Sequence, residues 1–167
     1  MPKPAPAPEA PATYVGEIAG ALDRIAYLAG RARQHDRLMA LAGVPLDRAA
    51  AALLRQLAEG EPLRPGELAA RMSVEASHVT RQVQHLRKAG LVTRVPDPDD
   101  RRARLVELTA AGRKAVDRIR EASRRGMSMA LQDWAPEDLE RLATLFHRMV
   151  DDFVAHADDA VELPPPT

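Results

Sequence analysis

Within one and a half turns of a helix-forming segment the chain sets Ser77, His78, Thr80, Arg81 and Gln82. Arginine carries a fork of donors that fits guanine O6 and N7 or a phosphate. Glutamine can pair with adenine, and short hydroxyls suit phosphates or base edges. Further along, residues 97–109 read DPDDRRARLVELT, a charged, Pro-containing turn with Asp100, Arg101 and Arg102 at its tip. An arginine on such a tip can enter a minor groove, where A·T tracts concentrate negative potential. Asp100, two residues before Arg102, can accept from its guanidinium and hold it extended. Each feature alone also reads as a solvated helix face or a weak surface ion pair. Together and in this order they point to DNA.

Two kinds of element must carry these groups. LVTRV (91–95) and RLVEL (104–108) are short β-like runs on either side of the charged turn and predict a hairpin. Val79, Val83 and Leu86 recur at i, i+4 and i+7. They predict a helix over 76–89 with those residues inward, the polar set outward and Gly90 just past the end. Its partner begins at Pro65, the favoured first helical position, carries Glu67 in its first turn and runs to Met72. Ser73, Val74 and Glu75 make the turn between them. A helix pair followed by an arginine-tipped ribbon is the layout of a winged helix-turn-helix.

Helical spacing predicts four further helices: 14–41 behind Thr13 and ended by Gly43 and Pro45, 47–59, a long one from a Thr109 cap to about Gln132, and 136–156. The fold class is mainly α with a small β-hairpin wing. The expected organisation is a Pro-rich tail (1–12), an N-terminal dimerisation helix (13–45), a winged helix-turn-helix domain (46–108), C-terminal dimerisation helices (109–157) and a flexible tail (158–167). The first, fifth and sixth helices carry apolar stripes too long for a small reader to cover, which suggests a symmetric dimer. An intramolecular bundle is the alternative.

The chain has 167 residues, no cysteine and no net formal charge. Disulfides, thiolate metal sites and thiol redox sensing are therefore excluded. Zero net charge argues against sequence-indifferent DNA packaging, which relies on phosphate neutralisation. The charge is unevenly spread: residues 61–125 hold 15 Lys+Arg against 9 Asp+Glu, and residues 126–167 hold 2 against 9. A basic middle and an acidic end suit one face turned to phosphate and another turned away. No run is apolar enough to span a membrane and none resembles a signal peptide, so the expectation is a soluble cytoplasmic protein.

No catalytic motif is present: no G-x-S-x-G, no H-E-x-x-H, no Gly-rich phosphate loop, no dinucleotide fingerprint. The reading is that the chain is not an enzyme and takes no cofactor. His147 with Asp151 and Asp152 with His156 stand at i, i+4 and offer a zinc-type pairing, against the plainer reading of solvated side chains.

PGELAARM (65–72), S-x-x-T-R (77–81), LRKAGLVTR (86–94) and the D-x-R within DDRRARLVELTAAG (99–112) together resemble the MarR family of transcriptional regulators. The resemblance covers about 46–112 by motif and the outer helices by layout only. It implies a homodimeric winged helix-turn-helix protein with the 76–89 helix in the major groove. Asp100 and Arg102 would then present a minor-groove arginine, and a small-molecule effector would release the DNA. The family's effector site implies Arg31, Arg33, His35, Asp36, Arg37 and Arg118 as candidates, each equally readable as a surface ion-pair partner. No effector is named. The chain departs from the family at Arg64, where a Ser or Thr cap is usual, at Glu75–Ala76 in place of Ser-Pro, and at His78. A metal-responsive regulator of the same fold and a sequence-indifferent DNA-binding protein are the alternatives.

Overall fold

The computed structural model describes residues 11–100 and 102–157. The tails expected at 1–10 and 158–167, and Arg101, lie outside the described residues. Element order is α1 (Pro11–Gly30), α2 (Ala32–Ala42), α3 (Arg48–Ala58), α4 (Pro65–Arg71), α5 (Ala76–Lys88), β1 (Val92–Pro96), β2 (Arg104–Leu108), α6 (Ala110–Ala130) and α7 (Pro136–Ala157). The chain divides into two compact units, one ending at Arg124 and the other beginning at Arg125.

In the first unit, α4 and α3 pack on α5, and α3 also packs on β2. Leu53, Leu54, Leu68, Val79, Val83, Leu86, Val106, Val116 and Ile119 are the largest fully buried side chains, so every element from α3 to α6 gives an apolar face to one core. The hairpin pairs antiparallel with Val92 opposite Leu108 and Pro96 opposite Arg104. Leu63 adds a bridge on the other edge of β2: its N–H donates to Val106 at 3.2 Å and its carbonyl accepts from Val106 at 2.8 Å.

The local signals act where sequence chemistry puts them. Asp47 caps α3, its Oδ1 accepting from Ala50 N at 2.7 Å. Gly43 and Gly90 have φ of 63° and 71°, left-handed values that cost glycine nothing. Ser73 takes φ 51° in the turn between α4 and α5, a conformation that side chains resist by about 1–2 kcal/mol. The Thr109 hydroxyl accepts from Gly112 N at 3.0 Å and donates to the Gly90 carbonyl at 2.7 Å. It therefore caps α6 and also ties it to the end of α5.

Two expectations need correction. The single helix expected over 14–41 is two helices. Arg31 is extended (φ −76°, ψ 133°), with its guanidinium 5.8 Å from the centre of the Tyr27 ring. Gly30 is the weak point: it lowers helix stability by about 1 kcal/mol relative to alanine, and the run GRARQHDR (30–37) has only Ala32 as an apolar side chain to hold the helix to a core. The first helix also starts at Pro11, inside the segment assigned to the tail and ahead of the proposed Thr13 cap. Proline is well suited to a first turn.

The second unit holds the end of α6 and α7. In α7, Leu142, Leu145, Phe146, Val150, Phe153 and Val154 are all exposed. In α1, within the first unit, Tyr14, Val15, Ile18, Ile25, Tyr27 and Leu28 are likewise exposed. Among the described residues no helix is long and apolar enough to cross a membrane.

Gly112 sits where α6 passes the end of α5. A Cβ there would collide with the Leu91 carbonyl, which is itself fixed by accepting from Thr109 N at 3.1 Å. Gly112→Ala is therefore expected to lower stability by about 1–3 kcal/mol through overpacking. Gly126→Ala, with nothing within 4 Å, should raise it by about 0.5–1 kcal/mol. Urea unfolding of the two variants checks the opposite signs.

Candidate nucleic-acid interface

Helix α5 is held by its buried side, where Val79, Val83 and Leu86 enter the core as the spacing requires. Ser77, His78, Arg81, His85 and Lys88 are all exposed. Ser77 and Arg81 are four apart and share the face opposite the core, and His78 sits beside them toward the N-terminus. No side chain caps the start of α5, so the unpaired N–H groups of its first turn lie at the same end as Ser77 and His78.

Thr80 and Gln82 flank this face. Both are half-buried. The Thr80 hydroxyl donates back to the Ala76 carbonyl at 2.9 Å, so its donor is used inside the helix. Gln82 has its Oε1 buried without a hydrogen-bond partner among the described residues. The exposed set is thus Ser77, His78 and Arg81, with Thr80 and Gln82 at its margin.

The hairpin tip is built by two aspartates. Asp100 accepts the backbone N–H of Arg102 on Oδ1 at 2.9 Å, and its carbonyl accepts from Ala103 N at 2.9 Å. The acid thus folds the turn beneath the arginine, a backbone role in place of the side-chain pairing expected for it. The Arg102 side chain is exposed, as are Arg94 and Arg104 on the strands.

Asp97 is the buried polar residue of the tip, 6% exposed. One oxygen, Oδ1, accepts from Asp99 N at 2.9 Å. The other, Oδ2, takes Arg64 Nε at 2.7 Å and Nη2 at 2.6 Å. Arg64 stands just before α4, and its own N–H donates to Glu67 Oε2 at 2.8 Å. The Arg64 hydrogen bond, followed by the Asp99 N–H, holds the Asp97 carboxyl below the usual carboxylate range. The same hydrogen bond raises Arg64 above its ordinary value. Sequence reading missed this pair, although arginine in a capping position was the signal.

A cleft of about 300 Å³ opens between the end of α3, β2 and α6. Its lining includes Leu57, Leu108 and Val116 with Glu107, Arg113, Asp117 and Arg120. Arg113 donates to the Leu108 carbonyl at 2.7 Å. None of Arg31, Arg33, His35, Asp36, Arg37 or Arg118 lines it. His35 instead bonds through Nε2 to the Leu46 carbonyl at 2.8 Å. On α7, His156 Nδ1 contacts the Asp152 carbonyl at 2.7 Å, and the Asp152 carboxylate faces Arg148 at 3.9 Å. Among the described residues no group of three His, Asp or Glu side chains is placed to hold a metal ion.

The profile of the MarR family matches residues 46–103. The chain is 30% identical over 109 residues to YxaD of Bacillus subtilis (strain 168), an uncharacterised HTH-type transcriptional regulator, spanning 65% of this chain and 76% of that one. A probable transcriptional regulator from Pseudomonas aeruginosa is also 30% identical, with a TM-score of 0.53 over 78% of this chain and 95% of the other. The structure of a MarR family protein from Bacillus stearothermophilus shares the fold, with a TM-score of 0.72 at 21% identity over 87% of this chain and 99% of its own.

The Asp97 geometry gives a pH dependence. A carboxyl held below its unfolded value contributes stability that is complete above that value and is lost as pH falls through the folded one. The urea midpoint of wild type should therefore exceed that of Asp97→Asn by a constant margin from pH 7 to 5, and the margin should shrink below about pH 4. A margin that persists at the lowest pH would contradict the ion pair.

Proposed function

The chain belongs to the MarR family of DNA-binding transcriptional regulators, and from that premise we propose that it acts in the cytoplasm as a homodimeric, ligand-responsive repressor of a pseudo-palindromic operator. The observation that carries this reading is the outward face of α5, with Ser77, His78 and Arg81 exposed opposite a fully buried Val79, Val83 and Leu86. One such helix from each protomer enters one of two successive major grooves, about 34–36 Å apart. Arg81 takes a guanine edge, and Ser77 and His78 contact the neighbouring base or phosphate. Thr80 and Gln82 act at the margin of the contact. The tip formed by Asp100, Arg101 and Arg102 lies over the adjacent minor groove, with Arg102 inserted and Asp100 fixing the turn that carries it.

Dimerisation is supported by the apolar stripes of α1 and α7. Tyr14, Ile18, Ile25 and Leu28 repeat along one side of α1, and Leu142, Phe146, Val150 and Phe153 along one side of α7, all exposed in the single chain. Covering such a side chain contributes about 1.5–3 kcal/mol, enough in sum to offset the entropy of association. A second copy of the chain is the partner for these faces. The cleft beside β2 supports the effector: a small molecule with an apolar body and polar groups would meet Leu57, Leu108 and Val116 together with Glu107, Arg113, Asp117 and Arg120. It would press at once on the base of the hairpin and the first turns of α6.

Three measurements test this reading. Arg81→Ala should cost about 1–3 kcal/mol at one base pair of each half-site, read by fluorescence anisotropy on a panel of single-substitution duplexes. An equal loss on every sequence would make Arg81 a phosphate contact. Arg102→Ala should weaken binding and flatten the preference for A·T-rich flanks. The purified chain should sediment as a dimer at micromolar concentration, and a monomer there would contradict the second-copy assignment.

A further inference from the structure

We propose that Arg64 is a positioning residue for DNA reading: through Asp97 it ties the hairpin tip to the start of α4, so that the tip arginine and α5 meet DNA as one rigid body. The inference rests on the minor-groove reading of the tip and assigns the part that aims it. Arg64 has an unusually fixed starting point. The residue before it, Leu63, is bonded on both backbone groups to Val106 of β2, the residue after it opens α4, and its own N–H is held by Glu67. The backbone from which the Arg64 side chain starts is thus held on both sides, and the carboxylate it meets fixes the other end. It meets Asp97, 33 residues away in sequence, with two nitrogens on one oxygen.

The other end of the tie is equally defined. Asp97 is the first residue beyond β1, and its backbone N–H donates to the Ala103 carbonyl at 3.4 Å across the neck of the tip. Its second carboxylate oxygen orients Asp99 N, and Asp100 in turn orients Arg102 N. A continuous chain of hydrogen bonds and covalent links therefore runs from the start of α4 to the arginine at the tip. The pair differs from an ordinary surface ion pair on its acid side: Asp97 is 6% exposed although Arg64 is half exposed, so a carboxylate that loses this cation keeps mainly the Asp99 N–H to offset its burial. The base of the hairpin is held by the Leu63 bridge and by buried Val92, Val106 and Leu108, so losing this anchor frees the tip alone, which must then be ordered again on each binding event.

The test uses the full-length chain and a duplex selected by the wild type from a random-sequence library. That duplex is made in two versions, with A·T or G·C pairs beneath the tip. Arg64→Ala should bind the A·T version about three- to tenfold more weakly, the range given by ordering one or two side chains. It should lose flank preference and keep the base-pair discrimination that Arg81 provides. Asp97→Asn, which leaves Arg64 in place, should do the same. In an Arg102→Ala background neither change should matter further, because there is no longer a tip arginine to aim. The slope of affinity against salt should be unchanged by Arg64→Ala. A direct phosphate contact would instead lower that slope by about one and would persist in the Arg102→Ala background; that result overturns the tie. Wild-type flank preference that survives both Arg64→Ala and Asp97→Asn also overturns it. A wild type without flank preference, indifferent to Arg102→Ala, would remove the minor-groove reading itself.

Discussion

The aim of the reading head depends on one close crossing of the chain, where Gly90 and Leu91 leave α5 and Thr109 to Gly112 enter α6. Three hydrogen bonds meet there: Thr109 Oγ1 to the Gly90 carbonyl, Thr109 N to the Leu91 carbonyl, and Gly112 N to Thr109 Oγ1. The backbones approach so closely that only a residue without a Cβ fits at position 112. The crossing joins the end of α5, both ends of the hairpin and the start of α6 at one point. With it fixed, the direction of the hairpin relative to α5 is fixed at the base, and the contact between Arg64 and Asp97 fixes it again at the tip. A ribbon held at both ends is a lever with little freedom, which is what a protein needs if it is to address two grooves of one duplex together.

Most of this frame was legible in the residues because its signals are local. The inward trio of α5 follows from a spacing of 3.6, the α6 cap from Thr109, the exits from Gly43 and Gly90, and the hairpin from two β-like runs around a charged turn. The parts that were not legible are those in which a tertiary partner outweighs a local preference. Arg64 looked like a poor cap because the residue it serves lies in another element. Asp100 was read as a side-chain partner of Arg102, yet an aspartate two residues before an N–H often closes a turn on the backbone instead. Gln82 was placed on the outward face with Ser77 and Arg81, and Thr80 was read as a short donor beside them, but α5 turns both toward its flanks. The break at Arg31 was missed although the apolar repeat stops at Ala29 and the run GRARQHDR (30–37) has only Ala32 as an apolar side chain.

Two kinds of polar economy divide the surface. Around the tip, each carboxylate oxygen of Asp97 has a designated donor and Asp100 is committed to the backbone, so negative charge is consumed in shaping the loop. Arg94, Arg102 and Arg104 stay exposed. This is how a chain of zero net charge can offer a locally positive surface: Asp97 is buried and Asp100 half-buried, while Arg94, Arg102 and Arg104 outnumber the exposed Asp99.

The outer helices lead to a different consequence. No described side chain of α1 or α7 is buried within its own chain. Helices of 20 and 22 residues without a packed face rest on propensity and side-chain neighbours alone, a regime in which order is partial in water. Their order then follows mass action: whatever covers them adds its binding free energy to their folding, and dilution withdraws it. The middle of the molecule, from α3 to the first turns of α6, has its own core and carries no such dependence. In the proposed dimer, protein concentration would therefore set the order of α1 and α7, and dilution would be felt there before it reached the core from α3 to α6.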